Sequence, residues 1–152
     1  MKGKKKKFIL TGFTVFLLLM LGFSVFSYFN FGTAMVNGDS MMPTLKPGRR
    51  LLFTRAYWLV GGLKVGDIVV VADPTKEQAT IIKRIAGMPG DIIDPLNVPR
   101  NYSLRSGTYK VPEGAVYLLG DNRPVSEDSR EFGPVGFDQI LGKIVVAPGD
   151  GG

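Results

Sequence analysis

The apolar residues divide the chain into two parts. From Phe8 to Phe29 a run of 22 residues carries no charge, whereas Gly and Pro break the remainder into short apolar segments. An α-helix of this length would measure about 33 Å, enough to cross the hydrocarbon core of a bilayer. We therefore predict a membrane-spanning helix over residues 8–30, followed by one folded domain over residues 31–152.

The flanks of the apolar run predict its orientation. Five lysines at positions 2 and 4–7 precede it, and the first charge after Lys7 is Asp39. Basic residues stay on the cytoplasmic side, so residues 1–7 are predicted to be cytoplasmic and the domain to lie across the membrane. A cleaved signal peptide is the alternative, with Gly32 and Ala34 as a weak small-x-small pattern. Its apolar region would be about 7–15 residues, shorter than this run, which favours an uncleaved anchor.

Beyond residue 45 the apolar residues form short, often β-branched runs between turn signals, a pattern typical of strands. The same Gly-Asp turn precedes two of these runs, at Gly66-Asp67 and at Gly90-Asp91, and residues 94–114 read as a loop or weak hairpin. No helical periodicity occurs after the anchor, so a mainly β fold is predicted, a small barrel or sandwich. The predicted strands cover residues 51–53, 68–72, 79–87, 92–93, 115–119 and 144–147.

Composition excludes several classes of function. The net charge is +6, but without the five N-terminal lysines 14 basic residues face 13 acidic ones. A near-neutral domain without a basic stripe argues against nucleic-acid binding. The chain has no Cys and no His, which excludes disulfides, thiolate nucleophiles, a Ser-His-Asp triad and metal sites built on those ligands. We expect neither a metal nor a cofactor.

One serine has the surroundings of a nucleophile. Ser40 lies between Gly38, which is flexible, and Pro43, which is rigid, in the segment 37–45 that opens the domain. A nucleophile needs such a defined backbone, because its oxygen and nearby N–H groups must face one substrate carbonyl. The alternative is an ordinary turn before a strand, where Gly, Asp, Ser and Pro are common.

Because there is no histidine, the base must be another residue, and Lys83 is the candidate. Strand alternation places Ile81, Lys83 and Ile85 on one face, where the amine would lose hydration. At an ordinary pKa near 10.4 only about one lysine in a thousand is neutral near pH 7.5, so a lowered pKa is required. The alternative is an edge-strand lysine that extends its ammonium into water.

A third segment, residues 120–135, is polar and rich in turn residues. A buried amine needs an orienting hydroxyl, which Ser126 or Ser129 could supply. Asp128 and Arg130 can pair and fix the loop. Taken alone, such a composition is also that of a solvated loop.

Together the segments 38–45, 82–91 and 120–135 resemble the signature motifs of the type I signal peptidases, in the family's order and behind its N-terminal anchor. Only 36 residues separate Lys83 from Gly120, so the chain is similar to the compact forms. The resemblance implies a membrane-bound serine endopeptidase that removes signal peptides after small residues of the Ala-x-Ala type.

The resemblance also implies roles for individual residues. Ser40 would be the nucleophile and Lys83 the general base, with the Ser40 backbone N–H in the oxyanion hole. Gly38 stands where some members carry a second oxyanion hydroxyl, so another N–H or a water would supply that donor. Ser126 would orient the lysine, Asp128 and Arg130 would form a structural ion pair, and the substrate pockets would include Val36, Met41, Leu45, Ile81 and Ile82.

The implied partners are preprotein signal peptides and the lipid bilayer, at the outer face of a bacterial cytoplasmic membrane. Three alternatives stay open. The ending Phe132-Gly133-Pro134-Val135 is similar to the mitochondrial inner-membrane and conjugative-transfer branches, which process few substrates. A self-cleaving repressor-type Ser/Lys peptidase would share the two residues but not the anchor. A membrane-anchored β-domain that only binds partners would need neither Ser40 nor Lys83.

Overall fold

The chain begins with the long helix that its apolar run predicts. The computed structural model describes the backbone of residues 2–146 and the side chains of residues 11–145. Helix α1 runs over Lys2–Asn30, and none of its Thr11–Asn30 portion is buried within the protein. In the described part of the chain it is the one helix long and apolar enough to cross a membrane.

The rest of the described chain contains seven strands: β1 Phe31–Met35, β2 Arg50–Thr54, β3 Ile68–Ala72, β4 Thr80–Gly87, β5 Ala115–Leu119, β6 Val135–Gly136 and β7 Ile140–Val146. They form one antiparallel sheet in the order β1-β2-β7-β3-β4-β5-β6. Register shifts interrupt three of the pairings, and such bulges increase twist and curl a sheet. Over residues 31–146 the edge strands β1 and β6 do not pair, so the sheet is curled but open. The mainly β fold is confirmed.

Short helical turns connect the strands. A 3₁₀ turn over Tyr57–Val60 follows β2, and Leu104–Ser106 lies in the loop before β5. The single-turn helix α2, Ser129–Phe132, precedes β6, and Phe137–Gln139 leads into β7.

Strand alternation divides the core between the two faces of the sheet. Val70 and Ile82, which are partners in the β3–β4 pairing, pack on one face with the segment that follows β1. On the other face Val69 is the partner of Lys83, and Ile85 is buried beside it. Lys83 therefore points to an apolar face, as the alternation predicts.

The structure departs from the sequence-based strands in four places. Strands β1 and β6 were not predicted, and β7 begins four residues earlier, at Ile140; the predicted end of that strand, Ala147, lies outside the described residues. Residues 92–93 form only an isolated bridge, between Ile92 and Lys110. The two Gly-Asp turns nevertheless form the same hydrogen bond. The Asp67 carboxylate accepts the Lys64 N–H at 2.9 Å, and the Asp91 carboxylate accepts the Met88 N–H at 2.8 Å.

Candidate functional site

Ser40 lies in a loop fixed at both ends. Before it, the Val36 N–H donates to the Arg49 carbonyl, and the Gly48 N–H donates to the Val36 carbonyl. After it, Met41 is fully buried in the core. Gly38 has a φ of +83°, a left-handed conformation that favours glycine and turns the chain toward the serine. Ser40 itself is partly exposed, and its backbone N–H has no acceptor among the described residues. The loop thus presents a hydroxyl with a free N–H beside it.

Lys83 is buried in β4, with 4% of its surface exposed. In the described chain its amine forms no ion pair and no hydrogen bond. Burial lowers the pKa of Lys83, and Arg130 adds to this, while the carboxylates of Asp128, Glu127 and Asp73 act in the opposite direction without cancelling it. The environment therefore favours the neutral amine.

A second buried lysine shows that burial alone does not make such a site. Lys143 on β7 also faces Val69, but its amine pairs with the Asp67 carboxylate at 2.8 Å and donates to the Gly62 carbonyl at 3.0 Å. Its charge is compensated within the fold. Lys83 has no such partner.

The turn after β5 connects the two functional segments. The Asn122 backbone N–H donates to the Ser40 carbonyl at 2.9 Å, and its side-chain amide donates to the Asp39 carbonyl at 3.1 Å. Two residues earlier, Gly120 lies so close to the Ser40 carbonyl and to Ser126 that a side chain there would overlap both. The turn therefore holds the backbone of the loop that carries Ser40.

The predicted ion pair between Asp128 and Arg130 is present. Arg130 donates from Nε to Oδ1 at 2.8 Å and from Nη2 to Oδ2 at 3.1 Å, while the Gly120 N–H donates to Oδ2 at 3.0 Å. Burial acts to raise the pKa of Asp128, but these bonds outweigh it and the pKa is lowered. The pair stays ionised and fixes the loop.

Ser126 is buried within this loop, and among the described residues its Oγ has no partner at full hydrogen-bond geometry, although its hydroxyl helps to lower the pKa of Asp128. A buried hydroxyl that is so weakly engaged can still bond a further group. Lys83 lies on β4, and no hydrogen bond joins its amine to Ser126. The predicted orienting role of Ser126 stays a prediction.

Ser40 and Lys83 line one cleft, between the segment 35–41 and the first half of β4. On this half, β4 pairs with β3 on one side only, because β5 joins it from Arg84 onward. The other edge of residues 80–83 is open toward the cleft. The walls also include Asp73, Lys76, Val125 and Glu127.

The predicted pocket residues separate into two groups. Val36, Met41, Ile81 and Ile82 line the cleft together with the serine and the lysine. Leu45 is fully buried in the core and does not line it.

Three residues that support the site, Arg84, Asp121 and Asn122, were not predicted from the sequence. Arg84 binds Asp121 through two hydrogen bonds, and Asn122 binds the loop that carries Ser40. The only signal was that Arg84 and Asp121 each adjoin a motif residue. Among the described residues no group of three acidic, Cys or His side chains could hold a metal ion.

Comparison with known proteins places the chain in a family. The family model described as signal peptidase, peptidase S26, matches residues 6–98 and 95–147. Signal peptidase IB of Staphylococcus aureus is 33% identical over 141 residues, which cover 72% of this chain and 73% of that protein.

Two further similarities are of different kinds. Subunit 1 of the mitochondrial inner membrane protease of Saccharomyces cerevisiae is 40% identical over 121 residues, which cover 72% of this chain but only 63% of that protein. The crystal structure of a signal peptidase I from Enterococcus faecalis has a TM-score of 0.43 and 26% identity, covering 54% of this chain and 96% of that one. Because the family model matches almost the whole length of this chain, the chain belongs to the signal peptidase family, peptidase S26, a family of membrane serine proteases.

Proposed function

We propose that this chain is a membrane-anchored endopeptidase that removes signal peptides from preproteins, with Ser40 as nucleophile and Lys83 as general base. One observation carries the proposal: a buried lysine without a partner shares a cleft with a partly exposed serine. A buried amine without compensation costs stability, and proteins retain such costs mainly at functional sites.

The reaction follows from the groups present. Neutral Lys83 accepts the Ser40 hydroxyl proton as Oγ bonds to the carbonyl carbon of the scissile peptide. The resulting oxyanion is bonded by the Ser40 N–H, and the Lys83 ammonium then donates its proton to the leaving amine. A water molecule, deprotonated by Lys83, hydrolyses the ester and restores both side chains.

The open edge of β4 supports an extended substrate. Residues 80–83 have free backbone groups toward the cleft, so a peptide can add there as a further strand. Val36, Met41, Ile81 and Ile82 would then contact its side chains. With these apolar walls, small residues of the Ala-x-Ala type are the proposed recognition pattern.

The proposed topology has residues 1–7 in the cytoplasm, residues 8–30 across the bilayer and residues 31–152 on the far side. In the bacterial case this is the outer face of the cytoplasmic membrane. The 40% identity to the yeast protein supports a second candidate, a processing peptidase of the mitochondrial inner-membrane type with few substrates. A repressor-type peptidase is disfavoured by α1, whose apolar surface is not covered by the protein.

The test is cleavage of a preprotein in detergent by the full chain. We expect Ser40→Ala and Lys83→Ala each to lose activity by at least about 10⁴-fold, as when a nucleophile or base is removed from other serine hydrolases. Ser103→Ala and Lys110→Ala, both at exposed positions outside the cleft, are the matched controls and should retain activity.

Cleavage that survives in Ser40→Ala would reject Ser40 as the nucleophile, and a wild-type chain that cleaves no preprotein would favour a binding domain. Substrates separate the two candidate branches. A signal peptidase should cleave several unrelated preproteins with small residues before the site, whereas the mitochondrial type should cleave few of them.

A further inference from the structure

The most exposed apolar segment beyond α1 is the turn after β2. Trp58, Leu59 and Val60 are 69%, 54% and 43% exposed. Other exposed large apolar residues of the described domain stand singly, which is normal for a protein surface. Three in succession, including a tryptophan, indicate contact with something other than water.

This turn is connected directly to the end of the anchor. Arg55 donates its backbone N–H to the Asn30 carbonyl at 2.8 Å and its guanidinium to the Phe29 carbonyl at 3.0 Å. Thr54 Oγ1 donates to the same Asn30 carbonyl at 3.2 Å. Trp58 follows Arg55 by three residues, so their Cα atoms lie no more than about 11 Å apart.

Strand register places the turn on the same side as further exposed apolar surface. Phe31 pairs with Thr54, and Thr54 pairs with Lys143, so these side chains point to one face of the sheet. The Lys143 amine donates to the carbonyls of Val60 and Gly62 at 3.4 and 3.0 Å. The turn therefore lies over the face on which Phe31, at the end of α1, is 40% exposed.

We propose that the Tyr57–Val60 turn inserts Trp58 and Leu59 into the headgroup region of the bilayer beside the end of α1. Tryptophan favours this region because its ring is apolar and its N–H is polar. The region is about 5–8 Å deep on each side of the hydrocarbon core, which matches a turn held near the helix end. The exposed guanidinium of Arg55 would face lipid phosphates. The domain would then have a second contact with the membrane.

The inference rests on the proposed membrane anchor, and the chain contains its own reporter, because Trp58 is the only tryptophan. The full chain is placed in phosphatidylcholine nanodiscs with or without brominated acyl chains. We expect the brominated lipid to cause a loss of Trp58 emission, and aqueous acrylamide to quench less than in the unfolded chain. Leu59→Asp, which adds a charge to the turn, should reverse both effects and leave cleavage of a soluble peptide in detergent unchanged.

A matched control moves the reporter to the other end of the sheet. In Trp58→Tyr/Leu96→Trp the tryptophan lies in the loop bonded to β5, at a position that is 89% exposed. That reporter should be quenched by acrylamide and not by brominated lipid. The inference is overturned if Trp58 behaves like this control, or if Leu59→Asp changes nothing. If the assignment of α1 as a membrane anchor is wrong, the chain will not remain with the nanodiscs. If the peptidase assignment is wrong, only the Ser40→Ala assay will show it.

Discussion

Arg84 and Asp121 form an ion pair that joins the two halves of the proposed site. Arg84 donates from Nε to Oδ1 at 2.8 Å and from Nη2 to Oδ2 at 2.6 Å. Arg84 follows Lys83 on β4, and Asp121 precedes Asn122, whose backbone and side chain hold the nucleophile loop. The pair therefore couples the position of the amine to that of the serine.

Breaking this pair should reduce activity as well as stability. In Asp121→Asn the guanidinium loses its charged partner. For a half-buried pair we expect a loss of about 2 kcal/mol in the free energy of unfolding, between the values for surface and buried pairs. Because a 1 Å displacement of reacting groups can cost about 100-fold, kcat/KM should fall by at least about tenfold. Urea unfolding and peptide cleavage measure the two effects.

The exposed pair between Arg100 and Glu131 is the control. Its N–O distance is also 2.6 Å, but the Arg100 side chain is 77% exposed. Arg100→Gln should therefore cost less than about 1 kcal/mol and leave kcat/KM unchanged. Equal effects of both variants on kcat/KM would show that the Arg84–Asp121 pair has no special link to the site.

Gly120→Ala should separate catalysis from folding. A Cβ atom at position 120 would lie 2.6 Å from the Ser40 carbonyl oxygen and would overlap Ser126 Oγ. The Ser40 carbonyl belongs to the backbone and cannot rotate away, so the nucleophile loop must move. We expect a stability loss of about 1–3 kcal/mol, the usual cost of overpacking, and a kcat loss of at least about 100-fold.

Gly87→Ala provides the comparison at the other end of β4. There the new Cβ atom would meet only side-chain atoms, Ile93 Cδ1 at 2.7 Å and Val111 Cγ2 at 2.9 Å. We expect a similar loss of stability with kcat intact in the folded protein. If Gly120→Ala retained its kcat, the turn would not determine the position of Ser40.

The two buried lysines should respond in opposite ways to the same substitution. Lys83→Met removes a buried amine without a partner, so the free energy of unfolding near pH 7 should rise by about 1 kcal/mol or more while activity disappears. Lys143→Met leaves the largely buried Asp67 carboxylate without its ion-pair partner, which should cost up to about 3 kcal/mol. Thermal unfolding of both variants tests this contrast.

The lowered pKa of Lys83 should make its contribution to stability depend on pH. Because its pKa is lowered in the folded protein, the unfolded chain binds more protons between the folded pKa and the ordinary value near 10.4. Lys83 should therefore add stability as the pH rises through this interval, and Lys83→Met should lack that contribution. A stabilisation by Lys83→Met that is the same at every pH would contradict a lowered pKa.

The sequence predicts β3 and β5 with their observed bounds, because each is a short apolar run closed by turn residues. Strand β1 was missed since Phe31–Met35 continues directly from the apolar helix, with no Gly or Pro boundary before it. Its strand character comes from pairing with β2, a tertiary contact.

The site shows the same division between local and long-range information. The pair Asp128–Arg130 could be predicted, and Ser40 and Lys83 could be proposed as site residues, because each lies in a distinctive local motif. The Arg84–Asp121 pair joins residues 37 positions apart. Each adjoins a motif residue, but nothing local indicates that the two side chains bind each other. Whether Leu45 faces the cleft also depends on long-range packing, which the local sequence does not specify. The structure places it in the core and not in the cleft.

The carboxylates around the cleft should set the pH at which the enzyme becomes active. The rate should rise with pH as Lys83 loses its proton, at a pH below the ordinary lysine range. The Glu127 carboxylate raises the pKa of Lys83 because it favours the ammonium. In Glu127→Gln that pKa falls further, so the rising limb of kcat/KM moves to lower pH. An exposed charge pair is worth up to about 1 kcal/mol, so the rate near pH 7 should rise by no more than about fivefold.

Ionic strength and a remote variant complete this test. Salt screens an exposed charge such as Glu127, so the difference between wild type and Glu127→Gln should shrink in 1 M salt. Glu113→Gln, an exposed residue outside the cleft, should leave the profile unchanged. A limb that moves to higher pH in Glu127→Gln would reverse the sign that Lys83 requires, and a profile flat from pH 5 to 9 would remove Lys83 as the base.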